Sequence, residues 1–177
     1  MSAKKRSEPK KNQTLVVRLD EALAEKIDRL QIEMVRHGVK RGYSATNIMM
    51  LAYFAVMRWT KVTRSDVKEL LEQGEATLAG FRESMKQRGS GTKRKGERPA
   101  RDSRVLPVPR YADIYERLFV LEGQFYELGA RPGRFFVNNF NIIRQALRRW
   151  DSVTQDDAEG FIKFLARLRE RKNKEST

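Results

Sequence analysis

The chain contains no cysteine, which excludes disulfides, thiolate-held zinc and a thiol nucleophile. Its single histidine, His37, follows a helix face toward a turn and reads as structural rather than catalytic. Long hydrophobic runs are missing too. The most apolar stretch, residues 48–57, is too short to span a bilayer. Residues 1–12 are polar and basic with no apolar stretch behind them, so no signal peptide is expected and the expected location is the cytoplasm. Negative charge is scarce: 23 acidic side chains stand against 37 Lys and Arg, leaving a net charge of +14. A balance that basic points to a polyanionic partner.

No Asp, Glu and His group has metal-ligand spacing, and no cofactor is expected. Residues 89–93 (GSGTK) contain the glycines and lysine of a phosphate loop in the wrong order, with no buried strand before them. The remaining carboxylates are scattered among basic residues, as on solvated helix faces. Nothing in this pattern supports an enzyme.

What is present is periodicity. Leu15, Val17 and Leu19 alternate with Thr14, Val16 and Arg18, which predicts a short strand with one apolar face. Asp20 is placed to cap a helix whose apolar face is Leu23, Ile27, Leu30 and Met34, closed by Gly38. After Gly42, Ser44 opens a second helix with Leu51, Ala52, Ala55 and Val56 on its apolar side. A third helix is expected from Ser65, with Leu70, Leu71, Leu78, Phe81 and Met85 on one face and Gly74 and Gly80 weakening it. Composition then shifts to Gly, Ser, Lys, Arg and Pro, the signature of a linker.

Beyond the linker the pattern returns. Displaced by 91 residues, Gln13–Trp59 aligns without a gap on Arg104–Trp150. Leu15 meets Leu106, Val17 meets Val108, Gly38 meets Gly129, Gly42 meets Gly133, Asn47 meets Asn138, and Arg58 and Trp59 meet Arg149 and Trp150. Shared amphipathic periodicity alone does not produce paired turn glycines and a paired Arg-Trp, so an internal duplication is the better account. A last helix from Thr154, with Phe161, Phe164, Leu165 and Leu168 on one face, corresponds to the third helix of the first half. The expected organisation is a disordered basic arm (1–12), a first unit (13–60), an additional helix (61–88), a basic flexible linker (89–103), a second unit (104–151) and a C-terminal helix with a basic tail (152–177).

The order strand, helix, glycine turn, helix, with residues 14–20 (TLVVRLD) and 42–48 (GYSATNI), resembles the ribbon-helix-helix family of DNA-binding proteins of the MetJ/Arc type. The resemblance covers both repeats. It implies a mainly α fold with a short two-stranded antiparallel ribbon, here a tandem pseudo-dimer in which each unit is followed by an extra helix. Members that this chain resembles lay such a ribbon in the DNA major groove. It is similar to plasmid and conjugation-associated regulators and to a T-DNA-transfer accessory protein with two units in one chain.

The implied function is sequence-specific binding of duplex DNA in transcriptional regulation of a plasmid or mobile element. The alternatives are an accessory DNA-binding role in conjugative transfer, an antitoxin, and a non-specific RNA-binding protein. Implied partners are double-stranded DNA, a second copy of the chain (bound side by side or as a homodimer), and RNA polymerase or a relaxase, with no membrane; whether the ribbon pairs within or between chains is left open.

The strand's alternation makes Thr14, Val16 and Arg18 the outward, base-contacting candidates: Arg18 for guanine, Thr14 for a base or a phosphate, Val16 for a thymine methyl. In the second strand the positions matching Val16 and Arg18 are Pro107 and Pro109, so readout is expected to be asymmetric, with the second strand acting as scaffold and clamp. Phosphate candidates are the start of the second helix in each unit (Tyr43, Ser44, Ala45 and Thr46; Arg134, Phe135 and Phe136), the strand-flanking Arg104 and Arg110, and Lys10 and Lys11 of the arm. Trp59, Trp150 and the group Phe135, Phe136 and Phe140 are expected to be packing residues rather than base-stacking platforms.

Overall fold

In a computed structural model, residues 14–40, 44–89, 105–109 and 112–175 are described. The chain is mainly helical. Strand β1 (Thr14–Arg18) leads into α1 (Glu21–Arg36), α2 (Ser44–Arg58) and α3 (Arg64–Gly89). Strand β2 (Val105–Pro109) leads into α4 (Ala112–Glu127), α5 (Asn139–Arg148) and α6 (Gln155–Glu175).

The two strands pair antiparallel, Thr14 opposite Pro109 and Arg18 opposite Val105. Pro107 and Pro109 have no amide hydrogen to give, and both fall at one parity of the register, opposite Val16 and Thr14. That parity must be the non-hydrogen-bonded one, leaving Leu15–Val108 and Val17–Leu106 to carry the ladder. The same four residues are buried. An isolated two-stranded pair is marginal in water; removing these side chains from it contributes about 2 kcal/mol each.

Beneath the strands lie α2 and α5, packed on each other, with β2 on α2 and β1 on α5. Helices α1 and α4 each contact both of them. The apolar stripe of α1 (Leu23, Ile27, Leu30 and Met34) is buried, as are Ile114, Leu118, Leu121 and Phe125 of α4. The third helices cross over: α3 packs on α5, and α6 packs on α2.

Helix ends explain much of the local order. Asp20 caps α1 by accepting the Leu23 amide at 2.9 Å. At the other end Gly38 takes φ +90°, and the Val39 amide reaches back to the Met34 carbonyl at 3.0 Å, the six-to-one bond that closes a helix over a left-handed residue. Gly129 (φ +87°) closes α4 in the same way, with Ala130 donating to Phe125 at 2.9 Å. Thr63 and Asp66 form a reciprocal cap on α3, and Thr154 and Asp157 form its counterpart on α6. Among the described residues, no helix is long and apolar enough to cross a membrane.

Three expectations need correction. The second helix of the second half does not begin at Arg134, Phe135 and Phe136. It begins at Asn139, capped by Asn138, which accepts the Asn141 amide at 3.1 Å. Residues 131–138 instead form a tight turn, with a bridge between Pro132 and Val137, and the Asn138 amide group donates to the Gly133 and Arg134 carbonyls at 3.0 Å. Gly133, at φ +147°, lies far from helical backbone angles, and the turn it shapes delays the helix to Asn139. Phe140 is exposed rather than core, although Phe136 is buried. The apolar face expected along all of α3 leaves the core after Leu78: Phe81 and Met85 are exposed.

Candidate nucleic-acid interface

The alternation of β1 divides its side chains. Leu15 and Val17 face the core, while Val16 (50 % exposed) and Arg18 face outward. The pairing places Val16 and Arg18 opposite Pro107 and Val105. Thr14 occupies the first position of β1, opposite Pro109; its side chain lies outside the described residues. The outward face therefore offers a guanidinium beside an apolar side chain, on a ribbon narrow enough for a major groove.

Arg18 ends β1, and two residues later the chain is anchored. Asp20 accepts from Arg144 and Arg148 of α5, both at 2.7 Å, besides capping α1. Burial pushes the Asp20 carboxyl up, but the Leu23 amide, the Arg144 hydrogen bond and the charges of Arg148 and Arg144 outweigh it, leaving the group below its ordinary value. A carboxyl so held stabilises the fold above its ordinary pKa of 3.8, and that contribution is lost as pH falls through the lower, folded value. Asp20→Asn is thus expected to be less stable than the parent at neutral pH, with the difference in urea midpoint closing in strong acid. A gap that stays constant across the pH series would contradict this assignment.

The fold is locked at the end of α2 and α5 by a matched pair of clusters. Arg58 lies over the Trp150 ring, 4.8 Å from its centroid, and pairs with Asp157 at 2.9 Å. Arg149 lies over Trp59 at 5.0 Å and pairs with Asp66. Each Trp is buried against the opposite half: Trp59 meets Phe125 edge-on at 5.7 Å, and Trp150 meets Phe54 at 5.7 Å. Neither ring is open to stack on a base.

These clusters, and the Arg144 and Arg148 anchors, escape a periodicity reading because they join residues remote in sequence. One signal was available: Thr63 and Asp66 recur as Thr154 and Asp157 at the offset that pairs Arg58 and Trp59 with Arg149 and Trp150.

The phosphate candidates fare differently. Ser44, Ala45 and Thr46 open α2 as expected, with side chains outside the described residues. Tyr43, Arg104, Arg110, Lys10 and Lys11 lie outside the described residues altogether. Arg134 is exposed but sits in the turn before α5, near the Phe135 ring at 5.7 Å and the Phe81 ring at 5.9 Å, not at a helix start. Phe135 and Phe136 pack against α3: Phe135 lies 5.6 Å from Phe81, and the Phe136 ring lies against Gly74. Compared with protein-family models, with curated proteins and with solved structures, the chain matches none.

Proposed function

We propose that this chain binds duplex DNA sequence-specifically as a single-chain ribbon-helix-helix pseudo-dimer, laying the β1–β2 ribbon in the major groove. The observation that carries the reading is the ribbon itself. Its inner face is buried and its outer face presents Val16 and Arg18, on a chain with a net charge of +14. Support for the tandem reading comes from the recurrence of the same glycine closures, Thr-Asp caps and Arg-over-Trp contacts in both halves. Because β1 and β2 belong to one chain, one molecule suffices for one ribbon.

In this mechanism Arg18 donates two hydrogen bonds to guanine, Val16 touches a thymine methyl, and the proline strand contributes shape rather than donors. The Asp20 anchor holds the end of the reading strand against α5. Lys10, Lys11, Arg104 and Arg110 supply phosphate affinity. The proposed role is transcriptional regulation on a plasmid or mobile element, in keeping with the family resemblance.

Titration of a labelled duplex tests the reading. Affinity is expected to fall by roughly a hundredfold or more between 50 and 200 mM salt through counterion release. Arg18→Ala is expected to cost about 1–3 kcal/mol on a preferred site while leaving the salt slope unchanged. A salt slope reduced by about one, with equal loss on every duplex, would make Arg18 a phosphate contact instead. Tighter binding to single-stranded RNA than to any duplex would reject the proposal.

A further inference from the structure

Among the described residues, nothing covers one surface of helix α4. Phe119 is 76 % exposed, the most exposed large apolar side chain described, and it borders a shallow hollow lined also by Tyr115, Glu116, Glu122 and Asn139. The corresponding position in α1 is Asp28, so the repeat architecture does not require a phenylalanine there. The surface is also acidic. Helix α4 holds Asp113, Glu116, Glu122 and Glu127 against a single Arg117, on a chain that is otherwise strongly basic.

A complementary feature lies at the far end of α3. This helix has 26 residues, about 39 Å at the usual rise, and from Ala79 to Lys86 every residue is exposed. Met85, 52 % exposed, lies four residues beyond Phe81 on one face, with the cations Arg82 and Lys86 beside them; Phe81 rests one side of its ring 5.6 Å from Phe135 and leaves the other open at 43 % exposure. A helical end this exposed has little tertiary packing to hold it, is marginal by itself, and gains from a surface to lie on.

We infer that the α3 tip of one copy docks on the α4 face of a second copy, with Met85 and Phe81 against Phe119, and Arg82 and Lys86 against Glu116 and Glu122. Apolar side chains meet apolar side chains, and the flanking charges have opposite sign, which fixes register and disfavours other pairings. The two surfaces differ, so the contact is head-to-tail and propagates instead of closing as a symmetric dimer. Glu122 already accepts the Tyr126 hydroxyl at 2.5 Å, which orients its carboxylate without consuming its charge. The inference stands apart from the DNA reading, since it needs only the protein.

The test is sedimentation velocity of the full chain without nucleic acid, over a concentration series at low salt. Wild type is expected to grow in mass beyond a dimer. Phe119→Asp and Met85→Asp, both at exposed positions, are each expected to remain monomeric with unchanged helical circular dichroism. An equimolar mixture of the two retains one intact tip and one intact face, and is expected to form a discrete dimer at twice the monomer mass that grows no further. A wild type that stays monomeric, a Met85→Asp variant that assembles like wild type, or a mixture that recovers no dimer would each overturn the inference.

Discussion

Asp66→Ala is expected to lower stability by about 3 kcal/mol. Asp66 is only 5 % exposed. It accepts the Thr63 amide and hydroxyl, both at 2.7 Å, and pairs with Arg149. Alanine removes the cap of α3 and strands the Arg149 guanidinium against Trp59. Both losses act where α3, from the first half, is fastened to α5 of the second. Urea unfolding measures the effect. A cycle with Arg149→Ala is expected to show strong coupling, because the two residues share one interaction. A loss below about 1 kcal/mol, the level of an ordinary surface pair, would mean that the cluster does not hold the halves together.

Gly74→Ala is expected to cost about 2 kcal/mol, although alanine is ordinarily the better helix former. A Cβ at Gly74 would lie 2.4 Å from the Phe135 carbonyl oxygen and 2.6 Å from the Phe136 ring, and the backbone of that turn is held by Asn138. Six residues along the same helix, a Cβ at Gly80 would meet nothing within 4 Å. Gly80→Ala is therefore expected to stabilise by about 0.5–1 kcal/mol. Opposite signs at two glycines of one helix, read from thermal or urea midpoints, isolate the close approach from helix propensity. Stabilisation at both positions would show that α3 does not pack on the turn before α5.

The contrast between those glycines shows where sequence reasoning succeeds and where it stops. Leu15, Val17, Leu106 and Val108 are legible because a strand has a strict period of two, and burying one face forces every second residue to be apolar. Gly38 and Gly129 are legible because a positive φ after a helix strongly favours glycine. Asp20 is legible as a cap, since capping is local. Its grip on Arg144 and Arg148 is not, because those partners lie more than a hundred residues away and nothing local requires them.

Gly74 reads in sequence as a defect. In the fold it is a contact, since its reason lies in the carbonyl of another element. The late start of α5 was obscured by the alignment itself. Matching Gly42 with Gly133 carries the helix start of the first half onto residues 134–136, whereas Pro132, Gly133 and the capping Asn138 reset it locally. Of the candidate site, the outward parity of Val16 and Arg18 was readable from alternation alone. The proposed phosphate contacts were chosen by charge, by helix starts and by position beside the strands, none of which periodicity specifies.

Base reading by the first strand can be measured by selecting bound duplexes from a random DNA pool at near-physiological salt, with wild type and Arg18→Ala in parallel. Wild type is expected to select a defined, non-palindromic motif that loses preference at one guanine position in Arg18→Ala while the rest of the motif persists. No enriched motif with either protein, or an identical motif with both, would contradict base reading by that strand.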